Sequence, residues 1–142
     1  YSLLKLKAEE WHNNLMRPIF QKNEDERYKS KDSFWVRNLI GKDGNGRFTF
    51  PYFNDDGAVI AIKHHKGKNG EPPYWHIEGN PDNSLKWYNS WNLKAYKVHR
   101  RLIIAEGEPD TIKLCRNGFQ AICSSAGTNS VPELIPIMKE WI

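Results

Sequence analysis

Two carboxylates and a glycine follow an apolar run in this chain: Leu102, Ile103, Ile104 and Ala105 lead into Glu106, Gly107, Glu108, Pro109 and Asp110. Four apolar residues in succession predict a buried strand of a parallel sheet. The carboxyl end of such a strand is where open α/β folds place their chemistry. The chemistry on offer is that of carboxylates, which take up protons and attract cations.

The elements that would position these groups can be read outward from them. Pro109 and Asp110 suit the first turn of a helix, because proline's missing N–H is not needed there and a carboxylate favours the positive end of the helix dipole. Ile112, Leu114 and Cys115 supply an apolar side, and Asn117-Gly118 predicts the C-cap. Phe119 to Cys123 predicts a second strand and Ser124 to Thr128 a loop of small residues at its carboxyl end. Ser130-Val131-Pro132-Glu133 is a capping box that opens a further helix. The sum is β-α-β-α, with Glu106 on the same rim as Ala126, Gly127 and Thr128. Taken alone, the pattern is also that of an ordinary β-α-β crossover in which Glu106 and Asp110 decorate a helix N-terminus.

Strand, Glu106-Gly107-x-x-Asp110, helix, glycine, strand and Gly127-Thr128, in that order within about thirty residues, resemble the first half of a Toprim domain. That domain is the metal-binding catalytic unit of primases, topoisomerases and some nucleases. The resemblance implies that Glu106 acts at a Mg2+ (or Mn2+) centre, as metal ligand or proton acceptor. Asp110 would cap the helix and orient the loop with support from Gly107, while Gly127 and Thr128 offer backbone and hydroxyl contacts near phosphates. A Toprim domain would continue into a third strand ending in Asp-x-Asp, and no aspartate follows Cys123. Magnesium demands an octahedral shell of hard oxygens, so the chain is expected to hold half of its site, to bind the metal weakly and to be inactive alone. It opens on Tyr1 rather than methionine and is read as a fragment.

Charge separates the two parts of the sequence. Residues 102–142 carry a net charge of −2 against +6 for residues 1–101. Lys86, Lys94, Lys97, Arg100 and Arg101 are interleaved with Trp87, Tyr88, Trp91 and Tyr96, with no acid among them. Cations neutralise phosphates and aromatic faces stack on bases, a mixture suited to single-stranded nucleic acid. For each aromatic individually, burial in a core is the favoured expectation. Cys115 and Cys123 are the only cysteines, which excludes a zinc ribbon. They are read as reduced thiols of a cytoplasmic protein, and no apolar run reaches the length of a membrane span or signal peptide.

Upstream, Arg47 to Phe53 and Ala58 to Lys63 flank Asn54-Asp55-Asp56-Gly57, a hairpin signature, with Pro51 marking an edge or a bulge. An aromatic-Pro stretch, a turn ending in glycine and Val59-Ile60-x-x-Lys63, followed by Trp87-Tyr88-Asn89 before the Glu-Gly strand, are similar to the segment upstream of the Toprim half in bacterial and phage-type primases. The resemblance implies that Lys63, Lys66 and Lys68 face template or nucleotide phosphates. His64 and His65 are expected to be solvated. Leu4, Ala8, Trp11 and Leu15 follow helical spacing, Pro18 is expected to end that helix, and His12 is expected at the surface or as a cap. Ser33 to Ile40 predicts a strand or short helix.

The expected fold class is α+β: an N-terminal subdomain over residues 1–98 combining helix and antiparallel sheet, then a truncated Toprim unit over 99–142. The function implied is that of a DNA primase or primase-helicase building RNA primers from ribonucleotides on single-stranded DNA, with a replicative helicase in the same or another chain. The candidate nucleic-acid or nucleotide contacts are Lys63, Lys66, Lys94, Lys97, Arg100 and Arg101. The alternatives are a Toprim nuclease and a non-catalytic module that binds single-stranded nucleic acid.

Overall fold

A computed structural model describes residues 3–22, 33–65, 76–79, 87–92 and 101–124, with the backbone alone for 19–22 and 76–78. Lys66, Lys68, Lys94, Lys97, Arg100, Gly127, Thr128 and the helix expected from Ser130 lie outside the described residues, as does the polar stretch 23–32. The class is α+β, with helices, one antiparallel sheet and one mixed sheet. The chain divides into two compact units, Tyr1–Pro81 and Asp82–Ile142.

In the first unit, helix α1 (Leu3–Lys22) and helix α2 (Phe34–Arg37) accompany a four-stranded antiparallel sheet in sequence order: β1 (Gly41–Lys42), β2 (Phe48–Phe53), β3 (Val59–His64) and β4 (His76–Gly79). The two tight turns use one device. Asp43 Oδ1 accepts from the backbone N–H of Asn45 and Arg47, at 2.9 and 3.0 Å. Asn54 Oδ1 accepts in the same way from Asp56 and Ala58, at 3.0 and 2.9 Å. Each turn closes on a glycine at positive φ, Gly46 and Gly57, a conformation that strains a residue with a Cβ.

α1 packs closely on β1. A Cβ at Gly41 would lie 2.6 Å from the Trp11 carbonyl carbon and 2.7 Å from the His12 nitrogen, so only glycine lets the strand approach the helix backbone. Ala8, His12 and Met16 are the buried stripe of α1, one turn apart. The expectation that Pro18 ends α1 is corrected: the helix continues to Lys22 with Pro18 inside. Pro18 and Asn14 both lie on its exposed side. There the Asn14 carbonyl, deprived of its i+4 donor, remains accessible to water. His12 is buried rather than surface, and its Nδ1 donates to the Ile40 carbonyl at 2.8 Å. Burial lowers its pKa, against the smaller opposing effect of that hydrogen bond.

Pro51 sits within β2, opposite Ile62. The β1 ladder reaches only Phe48 and Thr49, so proline's missing donor falls beyond it, and the register shifts between Tyr52 and Phe53. His64 is also buried, not solvated. Its Nδ1 donates to Asp43 Oδ2 at 2.7 Å beside the edge of the Trp11 ring, and Arg47 Nε lies 3.4 Å from the same oxygen. Burial works to raise the Asp43 pKa, but the hydrogen bonds from Arg47, His64 and Asn45 outweigh it and hold the carboxylate below its usual value.

In the second unit, β5 (Trp87–Tyr88), β6 (Ile103–Ala105) and β7 (Ala121–Ser124) form a sheet in the order β5-β7-β6, with helix α3 (Glu108–Arg116) crossing from β6 to β7. β6 and β7 are parallel and β5 is antiparallel to β7. The boundary expected near residue 98 falls inside this unit, because Trp87 and Tyr88 pair with Ser124 and Cys123. Among its described residues Trp87, Tyr88, Ile112, Ala121, Ile122 and Cys123 are the buried ones of apolar type, which places the first two aromatics in a core. Asn89, fully buried at φ 68°, donates from Nδ2 to the Ala121 carbonyl at 2.9 Å and accepts from Asn92 Nδ2. Neither Cys115 nor Cys123 is in a disulfide. Among the described residues no helix is long and apolar enough to cross a membrane.

Candidate functional site

β6 delivers Glu106 to the carboxyl end of the parallel pair. Ala105 lies opposite Cys123, so Glu106 and Ser124 leave the sheet at the same end. The strand-turn-helix order is as the sequence predicts, but the burial is not. Among the described residues β6 pairs with β7 alone, with Ile103 37% and Ile104 47% exposed, whereas β7 is buried throughout. An apolar run of three residues gains double-sided burial only in the middle of a sheet.

Glu106 is exposed at this rim. Gly107 follows as the N-cap of α3 with extended backbone and no side-chain cap bond. Among the described residues a Cβ there would meet Pro109 Cδ at an ordinary 3.7 Å, and the extended backbone angle does not demand glycine. The turn is fixed one helical step later: Thr111, fully buried, donates from both its backbone N–H and its hydroxyl to the Gly107 carbonyl, at 3.1 and 3.0 Å.

The two other carboxylates have different surroundings. Asp110 does not cap α3. It lies exposed in the first turn and borders an open groove with Lys113, Leu114, Asn117 and Phe119, a groove that Glu106 does not line. Glu108 is the buried one, 2% exposed in the first turn of α3, where the helix dipole favours a negative charge. The sequence marks Glu108 as a second acid but gives no sign of its burial, since its neighbours Glu106 and Asp110 are equally acidic and exposed. At the far end of α3, Asn117 is the C-cap, as expected, and its Nδ2 donates to the Lys113 carbonyl at 2.7 Å.

Of the described basic candidates, Arg101 is exposed just before β6. Lys63 is not: at 6% exposure it lies in β3 opposite Phe50, in the first unit. The resemblance implies a Lys63 that faces phosphates, whereas the unbroken apolar run Val59-Ile60-Ala61-Ile62 before it is the pattern of a strand covered on both faces. Among the described residues no three histidine, cysteine or acidic side chains gather as a metal site.

No protein-family model and no curated protein matches the chain by sequence. Among the solved structures that match its fold are three primase cores. The catalytic core of E. coli primase superposes with a TM-score of 0.65 at 14% identity, over 97% of this chain and 59% of that one. A DnaG primase catalytic domain bound to ssDNA gives 0.57 at 15% identity, over 86% and 54%, and a DnaG catalytic core gives 0.59 at 14%, over 86% and 53%. The chain thus spans 53% to 59% of the length of these structures. At these identities the likeness is one of fold, and the chain has the fold of a primase catalytic core over somewhat more than half of that core.

Proposed function

We propose that this chain is part of the catalytic core of a DNA primase or primase-helicase, an enzyme that builds RNA primers from ribonucleotides on single-stranded DNA by metal-dependent nucleotidyl transfer. The observation that carries the reading is the likeness to the E. coli primase core across 97% of the chain. It supports primase over the Toprim nucleases, and the ssDNA-bound neighbour supports single-stranded DNA as the partner. A replicative helicase, in the same or another polypeptide, is the further partner this reading implies.

Within it, Glu106 is the carboxylate presented to the reacting phosphates, at the turn where Gly107 begins α3. Thr111 holds the turn from which Glu106 projects. The cation implied by this chemistry, Mg2+ or Mn2+, requires several hard oxygens in an octahedral shell. The described residues offer one rim carboxylate and no cluster of three, so they do not by themselves fit the ion. The metal is therefore assigned to the complete catalytic unit. The same observation favours a second reading for the chain in isolation, that of a module that binds single-stranded nucleic acid without chemistry.

Two measurements test the proposal. Purified chain supplied with magnesium, ribonucleotides and single-stranded DNA should make no primers, and template-dependent product would show that the metal site has been misassigned. The chain should nevertheless bind single-stranded DNA weakly through its basic residues, which include Lys66, Lys94, Lys97, Arg100 and Arg101. With about three phosphates engaged, the logarithm of affinity should fall against the logarithm of salt with a slope near −2. Absence of binding at low salt would remove the nucleic-acid reading.

A further inference from the structure

Phe48 is an aromatic ring that the core of the first unit does not use. It is 39% exposed, while Phe50 and Tyr52, the next two residues on its face of β2, are buried. Lys42 of β1 lies opposite Phe48 in the ladder. On the other side Thr49 pairs with His64, and the N–H of His65 donates to the Phe48 carbonyl at 2.9 Å, so the register carries His65 opposite Phe48 as well. Opposed residues share a face. Lys42, Phe48 and His65 are therefore one cross-strand row.

The contacts within the row suit a charged, stacking partner. Lys42 Nζ stands 5.4 Å from the centre of the Phe48 ring, and Trp35 of α2 meets that ring edge-on at 6.2 Å and 72°. The His65 ring is held edge-on against Phe50 at 6.2 Å. The nearest acid in sequence, Asp43, is engaged by His64 and Arg47, and alternation along β3 puts His64 on the opposite face from His65. Beyond His65 the sequence continues Lys66-Gly67-Lys68, adding positive charge. An open aromatic ring beside cations is the arrangement that holds single-stranded nucleic acid, with the ring taking a base and the cations its phosphates.

We propose that the row of Lys42, Phe48 and His65, backed by Trp35, is a base-stacking platform for single-stranded nucleic acid. This rests on the reading of the chain as a single-strand binder and adds to it a surface that takes bases as well as phosphates. Stacking on a phenyl ring tolerates any base, so the platform contributes affinity and direction to the strand rather than sequence preference.

The test is fluorescence anisotropy with labelled oligo-dT and with an abasic strand of equal length, measured across salt. Wild type should bind oligo-dT more tightly than the abasic strand. Phe48→Ala should weaken oligo-dT binding about fivefold or more, the loss of one stacked base, and bring it close to the abasic value with the salt slope unchanged. Phe48→Leu, which keeps an apolar side chain without a π face, should lose as much, and Phe48→Tyr should retain wild-type affinity. Lys42→Gln should instead reduce the salt slope by about 0.7. If wild type binds but does not distinguish the two strands, or if Phe48→Ala and Phe48→Leu bind as wild type does, the platform is overturned while the electrostatic reading stands. Failure of wild type to bind either strand overturns both.

Discussion

Glu106 and Asp110 are neighbours in sequence with different surroundings, and substitution should separate them. In a polypeptide carrying the complete catalytic unit, Glu106→Gln keeps size and hydrogen bonding but deletes the charge. Primer synthesis should fall roughly a hundredfold or more if proton transfer is its role, with little change in Tm because an exposed rim side chain contributes little packing. Near-normal synthesis would favour the non-catalytic reading. Asp110→Asn, exposed and without a capping bond, should cost little in either measurement. Thr111→Val removes a hydroxyl that donates to the Gly107 carbonyl inside a fully buried position. It should lower stability by about 1 kcal/mol and disturb the turn from which Glu106 projects. A Tm equal to wild type would show that the backbone bond from Thr111 suffices.

At the scale of elements, two contacts join pieces that are distant in sequence. Gly41 lets β1 lie against the backbone of α1. A Cβ at 2.6 Å from main-chain atoms can be relieved only by moving strand from helix, so Gly41→Ala should destabilise the first unit by about 1–3 kcal/mol. Denaturant unfolding of that variant at wild-type stability would contradict the packing described. In the second unit Asn89 ties the end of β5 to the Ala121 carbonyl of β7. Asn89→Ala leaves that carbonyl without this donor in a buried setting, at a cost of about 1–3 kcal/mol. Both effects belong to the unit concerned.

At the scale of the whole molecule, the two described groups whose protonation is displaced, His12 and Asp43, both lie in the first unit. Burial lowers the His12 pKa, so below about pH 6.5 the unfolded chain takes up a proton that the native histidine refuses. Stability is therefore full above that pH and declines as pH falls toward the lowered native value, by at most about 1.4 kcal/mol per pH unit for one proton. Asp43 has the same sign at lower pH: its contribution is present above about pH 4 and is lost as pH falls through its depressed native value. Calorimetry from pH 7 to 4 should show the first unit weakening, and His12→Gln should flatten the part between pH 7 and 5. An unchanged slope in that variant would assign the acid sensitivity elsewhere.

Sequence alone determined the features whose causes lie within a few residues. The turn at Asn54 to Gly57, the strand-Glu-Gly-helix order around Glu106 and the C-cap at Asn117 follow from turn chemistry, periodicity and helix ends, which are local. The α+β class and the resemblance to primases followed from the order of such pieces. Tertiary structure decided what depends on partners far along the chain. β6 has the apolar composition of a central strand, and among the described residues β7 is the one strand it pairs with. Glu108, Asp110 and Glu106 are one type of side chain in one pentapeptide, and packing alone buries Glu108. His12, His64 and Lys63 are polar in composition and covered in fact, because α1, the Asp43 turn and the neighbouring strands close over them. The unit boundary at Pro81 lay hidden for the same reason: Trp87 and Tyr88 belong to the second unit through pairing with Cys123 and Ser124, a register that no local pattern of theirs encodes.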